Sequence, residues 1–326
     1  MRWSVINRIL VAMDGSPFAE QTLPYAAALA HAFDAEIILL RVVDTNRGSD
    51  ARSLDSFDWR LDRAEAFQYL TEIRDRLRAE GNPVDIDVTS GRAADEILES
   101  VHARGVDLVV LGSHGTSGMS QCHMASTAHK VVFGRPTSVL VVPARESVDE
   151  GPAFTSVIVP VDGSPHSDWA ISLAARLARS VGAELIVLHV VREPKLIHPQ
   201  GTKRERELVE EFIALNRRAA TRYLGNLKRR LETESMPVHP RVEVADDVVT
   251  VLERHARAEE RTFVVLCARG EARHEDVPYG SLVTVVLTNN EHPVLVLRGV
   301  ERTDGPQPGW PKVAAAEPWA RATTPH

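Results

Sequence analysis

Cysteine is nearly absent: Cys122 and Cys267 are the only two in 326 residues. Two such distant thiols form no disulfide framework and point to a reducing, cytoplasmic setting. Aromatics make up only 5%, and no apolar run approaches the ~20 residues of a bilayer crossing, which argues against a membrane protein. A basic excess is missing too. Lys and Arg total 38 against 45 Asp and Glu, a formal net charge of −7, and no Lys/Arg block resembles a nucleic-acid patch. The opening residues, Met1 to Ile6, are too short an apolar stretch for a signal-peptide core and read as the lead into a first strand. What remains is an ordinary globular composition, 44% hydrophobic and 25% charged. Collagen-like, disulfide-scaffold and wholly disordered chains are thereby set aside. At roughly 150 residues per domain, the length suits two cores.

The chain contains itself twice. Ile9-Leu10-Val11-Ala12-Met13-Asp14-Gly15-Ser16-Pro17 returns 148 residues later as Val157-Ile158-Val159-Pro160-Val161-Asp162-Gly163-Ser164-Pro165. Asp34-Ala35-Glu36-Ile37 answers Gly182-Ala183-Glu184-Leu185. Tyr69-Leu70 answers Tyr223-Leu224, now 154 residues on, and Val139-Leu140-Val141-Val142 answers Val294-Leu295-Val296-Leu297 at 155. About seven extra residues therefore enter copy two, most of them near Pro194 to Thr202. A period this long is a duplicated domain rather than a solenoid.

Each copy alternates strand and helix. The apolar run at Ile9 to Met13 ends in Asp-Gly-Ser-Pro, where Ser16 suits an N-cap and Pro17 a first helical position. One helix is expected to follow, with Thr22, Tyr25, Ala26, Leu29, Ala30 and Phe33 on one stripe; Ala170, Leu173, Ala174, Leu177, Ala178 and Val181 repeat the spacing. Residues 37–43 and 185–191 are nearly continuous apolar runs, as in strands buried on both faces. Long charged helices near 57–79 and 205–231 come next, read as solvated faces. Then come a strand, a shorter helix, a fourth strand near 107–111 and 262–266, a Gly-rich loop, a helix and a fifth strand near 138–142 and 293–297. Five strands alternating with four helices predict an α/β fold: in each copy a doubly wound, five-stranded parallel sheet with helices on both faces. Ligands of such sheets bind past the carboxyl ends of strands where strand order reverses, which directs attention to the loops after strands one and four. The domains are expected at 1–143 and 155–298, with a disordered tail over 299–326.

The loop after strand four reads Gly112-Ser113-His114-Gly115, nine residues, then Ala125-Ser126-Thr127; in copy two it reads Cys267-Ala268-Arg269-Gly270, nine residues, then Gly280-Ser281. Glycine lets backbone approach a ligand, and loop amides with a helix start form a phosphate cradle. Asp14 and Asp162, at the ends of the first strands, are placed to accept bonds from ribose hydroxyls. This pattern, Gly-x-x-Gly, nine residues, Gly-Ser/Thr, after a Val-Asp-Gly-Ser strand end, resembles the universal stress protein family in a tandem form. The resemblance implies strand order 3-2-1-4-5 in each copy, a Rossmann-like relative of the adenine nucleotide alpha hydrolases. It also implies ATP or a related adenine nucleotide, with or without Mg²⁺, as ligand. Carried onto this chain, it marks Asp14, Val42, Gly112, Gly115, Ser126 and Thr127 in copy one, and Asp162, Val190, Gly270, Gly280 and Ser281 in copy two. Ala125 and Cys267 depart from it, each standing where the family has glycine.

Other readings weigh less. His114, Cys122, His123 and His129 match no zinc spacing, so no metal site is expected. No Walker lysine, Gly-x-Ser-x-Gly or His-Glu-x-x-His motif is present, which leaves no catalytic set and at most a weak ATPase. The expected role is a cytoplasmic stress-response protein with a nucleotide as regulatory ligand; a nucleotide-free interaction protein is the rival. The fifth strands, unprotected apolar edges, are expected to cover each other in an intramolecular pseudo-dimer; a homodimer of whole chains is left open. Copy one is favoured as the nucleotide site, because copy two carries Cys267 and, in its loop, Glu271, Glu275 and Asp276.

Overall fold

A computed structural model describes residues 6–44, 56–114, 126–134, 137–145, 153–194, 202–233, 236–268, 281–289 and 291–298. The loop residues Gly115, Cys122, His123, Ala125, Gly270 and Gly280, the connector over 146–152 and the tail over 299–326 lie outside the described residues.

Copy one contributes β1 (Arg8–Ala12), α1 (Pro17–Glu20), α2 (Leu23–Phe33), β2 (Glu36–Val43), α3 (Ser56–Ala79), β3 (Val84–Ser90), α4 (Ala93–Arg104), β4 (Leu108–Gly112), α5 (Ser126–Gly134) and β5 (Ser138–Val142). Copy two contributes β6 (Ser156–Pro160), α6 (Pro165–Val181), β7 (Glu184–Val191), α7 (Lys203–Leu231), β8 (Val238–Val244), α8 (Val248–Ala258), β9 (Thr262–Cys267), α9 (Ser281–Asn289) and β10 (Val294–Leu297). The strands form one ten-stranded sheet in the order β3-β2-β1-β4-β5-β10-β9-β6-β7-β8. Within each copy the order is 3-2-1-4-5 and every pairing is parallel. The exception joins the copies: β5 and β10 run antiparallel, with Leu140 opposite Leu295 and Val141 opposite Val294.

That seam follows from composition. Residues 138–142 and 294–297 are all buried, and an apolar edge of unpaired N–H and C=O groups is stable only when covered. The outer edges carry different chemistry. β3 holds Asp85 and Asp87, which bind the Arg104 guanidinium at 2.8 and 3.0 Å, and β8 carries Pro240, which cannot donate to a further strand. Two apolar layers sandwich the sheet. One layer packs α2, α3, α6 and α7 over Val11, Leu39, Leu140, Leu295 and their neighbours; the other packs α4, α5, α8 and α9 over Leu10, Val109, Val141 and Val296. Across the seam Tyr25 of α2 stacks with Phe154 and Phe263 of copy two, at centroid distances of 6.3 and 6.2 Å.

One expectation needs correction. The single helix read after Ser16 is single in copy two, as α6, but divided in copy one into α1 and α2. Pro24 has no N–H to give the Glu20 carbonyl, so the i→i−4 ladder fails there. The Thr22 N–H turns instead to the Ala19 carbonyl at 3.1 Å.

Candidate functional site

In each copy the strand order reverses between the first and fourth strands, so β1 and β4, and likewise β6 and β9, flank a crevice at their carboxyl ends. The first wall is the Asp-Gly-Ser turn. In copy one Asp14 Oδ1 accepts the Ser16 N–H at 2.9 Å, Gly15 takes φ +80°, and Ser16 Oγ caps α1 by accepting the Ala19 N–H at 3.1 Å. In copy two Asp162 Oδ1 accepts the Ser164 N–H at 3.0 Å, Gly163 takes φ +81°, and Ser164 Oγ accepts the Ser167 N–H at 3.3 Å. A positive φ of this size is why both turns use glycine.

The copies then diverge. The Ser167 hydroxyl donates to Asp162 Oδ1 at 2.9 Å, whereas its counterpart in copy one is Ala19, which has no hydroxyl. Beside the turn, copy one places Arg41, whose guanidinium lies 5.5 Å from the centre of the Tyr69 ring and packs against Gly15. Its Nη1 is buried and has no hydrogen-bond acceptor among the described residues. Copy two places His189 there, with Nδ1 2.8 Å from the Val161 carbonyl, and burial holds that imidazole below its ordinary pKa. Sequence reading passed over Arg41 and the Ala19/Ser167 pair. Their signal was present as unlike residues at equivalent positions of the repeat.

The second wall is the end of the fourth strand. A Cβ at Gly112 would lie 3.0 Å from the His114 carbonyl oxygen and 3.5 Å from that of Phe18. Cys267 stands at the equivalent place, its thiol 2.9 Å from the carbonyl oxygen of His166, the counterpart of Phe18. Burial first, and then the charge of Asp162, push that thiol up to about 12. The thiol is therefore turned onto the first turn of α6, at a place where copy one has no side chain.

Tyr69 donates to Glu20 Oε1 at 3.2 Å and Tyr223 to Asp168 Oδ1 at 2.7 Å, so each long helix is pinned to the start of the first helix. Burial raises both phenols, which stay protonated donors. Val42 and Val190 are half-buried near the ends of β2 and β7, packed against the layer that holds the fourth-strand helices. Thr127 is half-buried in the first turn of α5, and Ser126 and Ser281 begin α5 and α9. The structure thus brings Asp14, Gly112 and the Arg41 guanidinium to one strand-end region. Gly115, Ala125, Gly270 and Gly280 lie outside the described residues. Among the described residues no group of three or more His, Cys, Asp or Glu is placed to hold a metal, and no helix is long and apolar enough to cross a membrane. His129 stacks on Phe133 at 4.6 Å.

A doubly wound α/β sheet whose strand order reverses between its first and fourth strands defines the class, that of Rossmann-like folds. Comparison with known proteins gives the family. The model of the universal stress protein family matches residues 6–143 and again 153–298, and the chain belongs to that family. A universal stress protein of Mycolicibacterium smegmatis is 26% identical over 296 residues, covering 89% of this chain and 96% of that one. One from Methanocaldococcus jannaschii is 26% identical over 141 residues, 43% of this chain and 83% of its own length. Among solved structures, a universal stress protein from Pseudomonas aeruginosa superposes with a TM-score of 0.63 at 18% identity, over 90% of this chain and 94% of that one. Another from Archaeoglobus fulgidus gives 0.58 at 19% identity, over 90% and 98%. At those identities the structures speak for the fold.

Proposed function

We propose that this chain is a cytoplasmic stress-response protein that binds an adenine nucleotide as a regulatory ligand, in the crevice of copy one. The observation that carries the reading is the fourth-strand end. In copy one Gly112 carries no side chain, and the His114 and Phe18 carbonyl oxygens come within 3.0 and 3.5 Å of where a Cβ would stand; in copy two the Cys267 thiol occupies the equivalent place. Asp14 offers a carboxylate for ribose hydroxyls, and Ala19 stands where Ser167 bonds Asp162 in copy two. Arg41 adds a positive group beside the same turn, which favours an anionic ligand. The Gly115 loop and the α5 start supply the N–H groups that suit phosphate. The nucleotide would order that loop and change the surface the chain presents to a partner.

Calorimetry with ATP is expected to show one dominant site per chain, abolished by Gly115→Asp and little changed by Gly270→Asp. The reverse pattern would assign the site to copy two. Turnover of ATP by the wild type above the Gly115→Asp background would replace the regulatory reading with a hydrolase. No heat with ATP, ADP or AMP, and none retained on purification, would favour a nucleotide-free interaction protein.

A further inference from the structure

α7 is longer than its counterpart α3, 29 residues against 24, and packs on the body only through its second half. Its buried residues are Ala220, Leu224 and Leu227. The first half stands out from the sheet and carries an apolar stripe: Leu208 is 48% exposed, Phe212 50% and Leu215 61%. Steps of four and three residues place these on one line of the helix, continued by the half-buried Ala219. A stripe of this kind on a charged helix calls for a partner. The charges beside it say which. Glu211 and Arg218 lie on the same flank of the stripe, seven residues apart, and neither makes an ion pair among the described residues.

We propose that this face is an isologous dimerisation surface, on which α7 of one chain pairs antiparallel with α7 of a second copy. The stripe is self-complementary about the point midway between Ile213 and Ala214. A two-fold axis there sets Phe212 against Leu215 of the second copy, and Leu208 against Ala219, each contact made twice. The large residue of every layer meets a smaller one, as in a packed two-helix seam. Antiparallel pairing carries the Glu211 flank past the Arg218 flank of the second copy, again twice, whereas parallel pairing would put the two Glu211/Arg218 flanks on opposite sides of the seam, where they cannot meet. Copy one provides an internal contrast. The residue of α3 equivalent to Phe212 is Asp58, and its exposed Leu61 and Phe67 are six positions apart, on different sides of the helix. Pairing therefore belongs to α7. A seam of one helix pair falls below the ~1,200 Å² of a standard stable interface, so the dimer is weak and concentration-dependent. It is separate from the β5–β10 seam and from the nucleotide crevice.

Sedimentation equilibrium of the full chain tests this. The wild type should dimerise with a Kd on the order of micromolar to tens of micromolar. Phe212→Glu should be monomeric over that range, with an unchanged circular dichroism spectrum because the position is solvent-facing. Glu211→Arg and Arg218→Glu should each weaken the dimer roughly tenfold, and the two together should restore it to within about threefold of wild type. A monomeric wild type overturns the proposal, as does a dimer indifferent to Phe212→Glu. Failure of the double exchange to restore association overturns the antiparallel register. A wild-type monomer that dimerises only after removal of residues 299–326 would give the stripe to the chain's own C-terminal segment instead.

Discussion

Gly112 and Cys267 hold the same place at the end of the fourth strand, each against a carbonyl of the first helix, Phe18 in one copy and His166 in the other. Around them the two sheets share their register: Gly112 pairs with Val142 as Cys267 pairs with Leu297. The strand end accommodates a thiol without a change of topology, so the fold does not require glycine there. Glycine in copy one is therefore not dictated by topology, which fits the proposed role of that strand end in ligand binding. The Asp-Gly-Ser turn gives the opposite lesson. Both copies keep Gly15 and Gly163 at φ near +80°, and both serines cap a helix, so that motif serves the fold first.

The sharpest way to break the comparison is at the seam that makes the copies one molecule. Leu295 is 1% exposed and faces Leu140 across β5–β10. Leu295→Asp buries a carboxylate with no partner and should cost on the order of 4 kcal/mol or more. Because the sheet is continuous, copy one should lose stability with copy two, in a single calorimetric transition. Two transitions, one at the wild-type temperature, would show that the halves fold independently.

Exchanging the strand-end residues sharpens it next. Gly112→Cys should weaken ATP binding about tenfold, roughly 1.4 kcal/mol, by forcing a side chain against the His114 and Phe18 carbonyls. Cys267→Gly should remove the thiol from the other strand end and add a second, weaker site in calorimetry, because Ser167 still holds Asp162. In a Cys122→Ser background, Cys267 should resist thiol reagents at pH 8, since burial keeps its pKa at about 12. Rapid labelling there would show that the thiol is not turned onto the His166 carbonyl.

The duplication and the alternation of strand and helix were legible in the sequence because they rest on short-range signals: apolar runs of strand length, Asp-Gly-Ser turns and a repeated loop spacing; the strand order came only with the family resemblance those motifs carry. The covered fifth-strand edges were legible too, since such apolar runs have no stable alternative. What escaped is what depends on meeting across space. Arg41 is one charge within an apolar run and carries no local signal; only packing places it over Tyr69 and against Gly15. Cys267 reads in the sequence only as a missing glycine; its thiol bonds the His166 carbonyl, a group more than a hundred positions away. Ser167 carried no mark that separates an ordinary helix residue from one that occupies Asp162.

Acid separates the copies by a smaller margin. His189 and His292 both belong to copy two, and burial lowers the pKa of each. A histidine whose pKa is lowered on folding binds fewer protons in the native state, so its contribution is present above about pH 6.5 and is lost as pH falls below it. Copy one has no histidine at the position of His189, where Arg41 stands instead. Lowering the pH from 7 to 5 should therefore cost on the order of 1 kcal/mol through these groups. His189→Asn, whose amide N–H can replace the bond to the Val161 carbonyl, should flatten that dependence in urea titrations. An unchanged slope would assign the acid sensitivity elsewhere.

The smallest expected effect concerns the break between α1 and α2. Pro24 stands where copy two has Ser172, which continues α6 and donates its hydroxyl to the Asp168 carbonyl at 2.9 Å. Pro24→Ser restores the missing helix donor, a gain of about 1 kcal/mol, and returns conformational freedom to the unfolded chain, a loss of about 0.4–1 kcal/mol. The two nearly cancel. The break, however, holds Gln21, whose amide donates to the Arg145 carbonyl at 2.7 Å while its oxygen accepts the Arg145 N–H at 3.0 Å. That clasp ties the turn to the chain leaving β5, next to the seam. Thr22 keeps helical backbone angles through the break, so closing it demands little movement of Gln21. Pro24→Ser should accordingly shift stability by less than about 1 kcal/mol in either direction, and Gln21→Ala should cost about 1 kcal/mol by leaving two backbone groups to solvent. Should Pro24→Ser prove the more damaging of the two in urea titrations, the break itself, rather than the clasp it carries, would be what copy one has and copy two lacks.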